Sequence, residues 1–251
     1  MEQIPSVIAL HYKIEHCPDL DYGNAAALSH EEEDFSVIIE NGRATVLMKA
    51  HFSSEKEAKE TIAPFLEAWR IKALLEEGKD AFRFEFVSSD VETMGQSETG
   101  TEVVALTASL SMKALPASVH IAKSTFPLPP TDFSLSDTVE DISFQYEAYL
   151  RKEMSLPSVG YFVVTVLDRD FDKQEPTTQL NISNKVYRRL KQQCSGKGGR
   201  DARKADAVSE PLSENDRLWI ERAIVAILRR AGSLAKGVDV SKLPKLTVDT
   251  I

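Results

Sequence analysis

The residues best suited to chemistry lie in a short basic segment, residues 183–204. This segment holds eight lysines and arginines and one acid, Asp201, so it is strongly cationic in a chain whose net charge is −9. Clustered cations attract phosphate and carboxylate groups, so the segment could dock an anionic ligand, a nucleic acid or an acidic protein. The candidate anion-binding residues are Lys185, Arg188, Arg189, Lys191, Lys197 and Arg200.

A glycine-rich stretch, residues 195–200, follows the first cations of this segment. The backbone N–H groups of such a loop can surround a phosphate. The stretch lacks the G-x-x-x-x-G-K-[ST] spacing, however, and it follows a helix-like pattern where a nucleotide-binding loop would follow a strand. Two interpretations stay open: a solvated helix face with a loop, the more frequent origin of a charge run, or a phosphate or nucleic-acid site.

Histidine and cysteine near the N-terminus raise the question of a metal site. His11, His16 and Cys17 precede an acidic run at residues 31–34, which lies beside His30. A zinc site needs about four ligands at closing distances, and these residues have neither H-E-x-x-H nor C-x-x-C spacing. The sequence therefore predicts no metal site and no cofactor, and it predicts a solvated loop for the acidic run.

The remaining reactive groups also lack a catalytic pattern. No G-x-S-x-G motif accompanies the serines and histidines. Cys194 is predicted to lie exposed in a basic loop, where cations would favour its thiolate. Asp168, Asp170 and Asp172 alternate as in a calcium loop, but the glycine at the sixth position and the final glutamate are missing. These residues predict no reaction.

Composition limits the class of protein. A chain of 251 residues with 42% hydrophobic side chains can bury a substantial core. Its two cysteines are far apart in sequence, which is typical of a reducing compartment. It has no stretch approaching the roughly 20 apolar residues of a membrane helix and no basic and apolar leader, so we expect a cytoplasmic protein without membrane association.

The first half has the pattern of strands around one helical segment. Alternating apolar residues predict strands at residues 5–14, with Ile8, Leu10, Tyr12 and Ile14 on one face, and on either side of Asn41-Gly42, a frequent hairpin turn. Residues 54–78 have helical spacing, although Pro64 should kink this helix or start a second one. Further predicted strands lie at residues 81–87, 101–112 and 118–123, with a loop at residues 95–100.

The second half has a helical pattern. A proline-rich stretch at residues 126–130 predicts a boundary between a domain at residues 1–126 and a domain at residues 131–251. Residues 157–171 fit a strand or a buried helix, and we favour the helix. The other predicted helices are residues 136–154, 181–193 and 213–232, the last ending at Gly232, and an extended tail at residues 238–251 follows them.

Six short stretches carry a resemblance to known sequences: residues 65–69, 82–86, 182–184, 195–199, 212–232 and 243–246. Together they resemble a group of uncharacterised bacterial proteins with no assigned activity. The resemblance covers most of the chain but contains no catalytic signature. It implies a bacterial origin and carries over no site residue.

These observations predict an α+β fold, with an N-terminal antiparallel sheet packed on a helical segment and followed by a helical C-terminal part. For function, they favour a non-enzymatic cytoplasmic binding or assembly module that takes a protein partner or a second copy of the chain. The alternative is nucleic-acid or phosphate-ligand binding through residues 183–204. A third hypothesis is an enzyme whose site is assembled from distant residues.

Overall fold

The computed structural model describes residues 5–93, 121–171, 176–196 and 212–251. An antiparallel five-stranded sheet lies in the N-terminal half, a long helix lies between the fourth and the fifth of its strands along the chain, and the C-terminal part is helical. The predicted α+β fold class is therefore confirmed. The chain forms two compact units, Met1–Ala63 with Asp80–Leu128, and Pro64–Lys79 with Pro129–Ile251. A division into consecutive domains at residues 126–131 stays a prediction.

The sheet consists of strands β1, β3, β4, β5 and β6 in the order β3-β4-β5-β1-β6. Two further strands, β2 and β7, pair in parallel. The strands are β1 Pro5–Glu15, β2 Leu20–Asp21, β3 Leu28–Glu31, β4 Phe35–Glu40, β5 Arg43–Met48, β6 Arg83–Thr93 and β7 Ile121–Ala122. The predicted strand at residues 101–112, the loop at residues 95–100 and the first half of the run at residues 118–123 lie outside the described residues, and the second half of that run contains β7.

The hairpin between β4 and β5 turns at the predicted dipeptide. Asn41 and Gly42 have φ angles of 51° and 71°, the left-handed backbone that a two-residue turn of this kind requires. Glu40 pairs directly with Arg43 across the turn. This register places Val37 opposite Val46, and both side chains are fully buried. The hairpin prediction is confirmed.

The prediction that Ile8 shares one face of the strand with Leu10 and Tyr12 is wrong. Its side chain is 42% exposed, whereas Val7 and Ala9 on either side are buried. The pairing of β1 with β6 is irregular between Val7 and Ala9, so one residue is left without a partner. Such a bulge turns the following side chains to the opposite face, and Leu10 and Tyr12 then continue the buried row.

The long helix, α1, runs from Glu55 to Glu77. The Ser54 hydroxyl accepts a hydrogen bond from the Glu57 amide at 3.2 Å, which satisfies one of the free donors of the first turn. Gly78 follows the last turn with a φ angle of 98°. The helix continues through Pro64, so the prediction of a second helix at this proline is wrong.

The predicted helices of the second half are all present, with shifted ends. They are α2 Asp137–Leu150, α3 Leu156–Asp170, α5 Asn184–Gly196 and α6 Glu214–Ala235. A short helix, α4 Pro176–Gln179, lies between α3 and α5, and a 3-10 turn at Val240–Lys242 follows α6. The ambiguous stretch at residues 157–171 is helical. Its β-branched residues, among them Val159, Val163 and Val164, pack into the core of the second unit.

Gly232 does not end the last helix as predicted. The helix continues to Ala235, and Gly237, with a φ angle of 83°, follows its end. Gly232 instead makes room for an aromatic ring, because a Cβ at this position would lie 2.0 Å from Cε2 of Phe133.

Residues 238–251, predicted as an extended tail, pack on the second unit. The Ser183 amide donates a hydrogen bond to the carbonyl of Leu246 at 2.8 Å, and the Leu246 amide donates to the carbonyl of Asn181 at 3.0 Å. The guanidinium of Arg230, a buried residue, donates to the carbonyl of Pro244. The C-terminal segment thereby holds the start of α5 in place.

We expect Gly232→Ala to destabilise the protein. The overlap with Phe133 should cost about 1–3 kcal/mol or more, against a gain of about 1 kcal/mol in helix propensity from alanine. Urea unfolding would measure the change in free energy. The adjacent Ser233→Ala variant should change it by less than about 0.5 kcal/mol.

A Phe133→Ala background makes room for the new methyl group, so the penalty of Gly232→Ala should largely disappear there. An equal penalty in both backgrounds would contradict this packing.

Candidate functional site

Helix α5 carries four of the six candidate anion-binding residues. Its start is capped by Ser183, whose hydroxyl accepts a hydrogen bond from the Val186 amide at 3.3 Å. Ile182, Val186 and Leu190 are almost completely buried, as the sequence predicts. Because these residues recur every four positions, they fix one face of the helix against the core and leave the other faces to the polar side chains.

Lys185 and Arg188 lie exposed on the solvent side of α5. Their spacing of three residues places them next to each other on the helix surface. Neither side chain forms an ion pair with any other described residue. Within the described part of the chain, they are therefore the cations of this helix that have no acidic partner.

Arg189 and Lys191 have partners within the chain. The Arg189 guanidinium lies 4.3 Å from the centre of the Trp219 ring, and its Nη2 is 3.6 Å from Oδ1 of Asp216. Nζ of Lys191 is 3.5 Å from Oδ2 of Asp168. These contacts neutralise part of the charge that the sequence assigned to the site. We call the four side chains together the basic face of α5: Lys185, Arg188, Arg189 and Lys191.

The other two candidates, Lys197 and Arg200, lie outside the described residues, as does the glycine-rich stretch after Gly196, the last residue of α5. The structure therefore brings together the helical part of the predicted site. Its contribution to anion binding stays a prediction.

The predicted exposure of Cys194 is wrong. This residue lies in α5 and is 1% exposed, because it continues the four-residue repeat of Val186 and Leu190. Its Sγ lies where a Cβ on Gly160 of α3 would approach to 2.3 Å. Burial raises the pKa of the Cys194 thiol to about 12, so the thiolate is disfavoured in spite of the nearby cations.

The structure also assembles a polar row that the sequence did not reveal. Nδ1 of His11 is 3.3 Å from the hydroxyl of Thr45, and Nε2 is 2.9 Å from Oδ2 of Asp90. The row joins β5, β1 and β6 and has the atom types of a nucleophile, a base and an acid. A catalytic triad also needs an enclosed site with oxyanion donors. The Asp90 side chain is 57% exposed, so we interpret the row as a cross-strand ladder on the sheet surface.

Metal-binding groups do not converge in the described part of the chain. Within residues 5–93, 121–171, 176–196 and 212–251, no three histidine, cysteine or acidic side chains are placed to hold a metal ion. Nδ1 of His16 is 3.0 Å from the carbonyl oxygen of Cys17, and Nε2 of His30 is 2.8 Å from Oε1 of Glu32.

The second unit contains an acidic groove of about 420 Å³, which we call the Phe144 groove. Its lining residues come from α1 and α2: Glu67, Arg70, Glu140, Asp141, Ser143, Phe144 and Glu147. Phe144 is 66% exposed. An aromatic side chain this exposed is the type of residue that anchors protein partners.

Arg70 is held between two walls of this groove. It donates hydrogen bonds to both carboxylate oxygens of Glu67, at 2.7 and 2.8 Å, and to Glu147 at 2.6 Å. Desolvation alone would lower the pKa of Arg70, but these hydrogen bonds raise it above its ordinary value. Arg70 therefore stays charged and is fully occupied by the groove itself.

No protein-family model, curated protein or solved structure matches this chain. None of the described helices has both the length and the apolar composition that crossing a bilayer requires.

We expect one rapidly reacting thiol per chain when the native protein is titrated with DTNB at pH 8. Cys17 is partly exposed and should react, whereas Cys194 is buried, with a thiolate fraction of about one in ten thousand at this pH for a pKa of about 12. Denaturant should expose the second thiol.

The Cys17→Ser variant should lose the rapid phase and keep the denaturant-dependent one. Rapid reaction of Cys194 in that variant would show that α5 does not bury its sulfur.

Proposed function

We propose that the protein is a non-enzymatic binding module that docks an anionic partner on the basic face of α5. The observation that carries this proposal is the exposure of Lys185 and Arg188 beside each other, without an acidic partner in the described residues. Unpaired, adjacent cations on a folded helix create a local positive potential on a chain whose net charge is negative.

The anchoring of α5 supports this proposal. Ile182, Val186, Leu190 and Cys194 are buried, so the helix does not have to become ordered when a partner arrives. Binding to a preformed surface avoids the entropic cost of ordering a segment. Lys185 and Arg188 still lose side-chain freedom on binding, so we expect modest affinity.

The chemistry of the basic face favours binding over catalysis. Lysine and arginine recognise phosphate and carboxylate groups through charge and hydrogen bonds. The cysteine of this helix, Cys194, is buried, and the pKa of its thiol is raised. A nucleic acid or phosphate ligand remains the alternative to an acidic protein partner, and the net charge of −9 should confine either anion to this face.

We expect Lys185→Ala/Arg188→Ala to weaken binding of polyanions. A short fluorescein-labelled single-stranded DNA and a labelled polyglutamate, each titrated over a range of salt concentrations by fluorescence anisotropy, would separate phosphate from carboxylate partners. Loss of two charge contacts should reduce the slope of log K against log salt by about 1–2.

Lys236→Ala/Lys245→Ala is the matched control, because it removes two exposed cations outside α5. It should leave the affinity and the salt slope nearly unchanged. Equal losses in both double variants would show non-specific attraction. Failure of the wild type to bind either polyanion at low salt would refute the proposal.

A further inference from the structure

The contact that holds Arg189 shows how this chain recognises an arginine. The guanidinium stacks on the Trp219 ring with 4.3 Å to its centre, and the Asp216 carboxylate approaches the same group at 3.6 Å. The aromatic face attracts the cation, and the carboxylate adds charge and a hydrogen-bond acceptor. An aromatic ring beside a carboxylate thus forms an arginine-binding site within this chain.

The Phe144 groove offers the same combination without an occupant from the described residues. Phe144 presents an exposed ring, and Glu140 and Asp141 are one helical turn before it on α2. Oδ2 of Asp141 is 2.7 Å from Nη2 of Arg169, which also pairs with Asp170. Glu140, in contrast, forms no ion pair in the described part of the chain. The groove therefore combines an aromatic surface with at least one carboxylate that is not neutralised.

The surroundings of the groove remain acidic after their internal ion pairs are counted. Four carboxylates and one arginine, Arg70, line the groove. Two more arginines reach these carboxylates from outside, Arg151 to Glu147 at 3.5 Å and Arg169 to Asp141. Each of these arginines is also paired with a further acid, Glu153 or Asp170. A cationic partner is therefore favoured by charge complementarity.

The chain itself carries a matching group. Arg188 is exposed on α5, its cation is unpaired among the described residues, and Lys185 lies beside it. Arg188 makes no contact with the groove of its own chain, so the two surfaces are both available to another molecule.

We propose that the Phe144 groove of one copy of this protein receives Arg188 and Lys185 of a second copy. This rests on the proposed function, with a second copy as the anionic partner. The Arg188 guanidinium lies on the Phe144 ring and pairs with Glu140, as Arg189 does with Trp219 and Asp216. Because the two surfaces differ, the contact is heterologous, and a pair of copies keeps one free groove on one copy and one free basic face on the other. Association therefore continues into open chains or closes into rings.

Sedimentation velocity over a range of protein and salt concentrations tests this proposal. The wild type should form species that grow with protein concentration at low salt. They should dissociate as salt rises, because the Debye length falls to about 8 Å at physiological ionic strength. A groove variant, Phe144→Ala/Glu140→Lys, and a face variant, Lys185→Glu/Arg188→Glu, should each be monomeric.

The decisive sample is an equimolar mixture of the two variants. The groove variant keeps its basic face, and the face variant keeps its groove, so one intact contact remains between them. The mixture should form a 1:1 dimer that does not grow further. Leu128→Ala/Glu76→Lys changes one exposed apolar residue and one exposed acid elsewhere, and it should assemble as the wild type does.

Several results would overturn the proposal. The proposal is overturned if the wild type stays monomeric at low salt and high protein concentration. It is also overturned if the groove variant or the face variant still assembles by itself. Two monomeric variants that fail to form a dimer on mixing would show that the two surfaces do not meet. Polyanion binding without self-association would reject this inference and leave the proposed function standing. If the protein neither binds polyanions nor self-associates, both this inference and the proposed function are rejected.

Discussion

The burial of one face of α5 is the constraint on which the candidate site depends. Ile182, Val186, Leu190 and Cys194 recur every four residues and are nearly inaccessible to solvent. The helix packs on α3 and α6, and Gly160 on α3 provides the space that the Cys194 sulfur occupies. Once this face is fixed, the remaining positions of the helix must face outward. The exposure of the cations thus follows from hydrophobic packing and helix periodicity.

Electrostatics then divides these cations into two kinds. Arg188 and Arg189 are neighbours in sequence, but successive residues point about 100° apart around a helix. Arg189 reaches Trp219 and Asp216 on α6, whereas Arg188 points to solvent. Ion pairs as exposed as these contribute little to stability. They still matter for binding, because a paired cation must exchange its partner before it can serve an external anion.

On the sheet, too, suitable side chains lie close together without forming a functional site. The register of β1 with β5 and β6 brings His11 between Thr45 and Asp90, and the atoms match those of a catalytic triad. The row lies on a surface where water competes for each hydrogen bond. The Phe144 groove differs because it is concave, acidic and centred on an exposed ring. Concavity and desolvation turn a set of suitable atoms into a binding site.

Local sequence signals predicted much of the fold. The hairpin at Asn41-Gly42 and the helices of the C-terminal part depend on backbone preferences and on the periodicity of nearby apolar residues, so one stretch of chain contains the information. The four-residue repeat that buries Cys194 was also present in the sequence. The glycines and cations that follow Cys194 are typical of a loop and compete with this signal.

Other features depend on residues far apart in the chain. The bulge that exposes Ile8 arises from the pairing of β1 with β6, and the role of Gly232 depends on its contact with Phe133. Two of the candidate cations, Arg189 and Lys191, are paired with Asp216 and Asp168, which are distant in sequence. The sequence by itself determined the helices, the hairpin and the faces that must be buried, because those follow from local periodicity. Only the tertiary structure decided which charges and rings remain free, because neutralisation and burial depend on neighbours that folding brings together from distant positions.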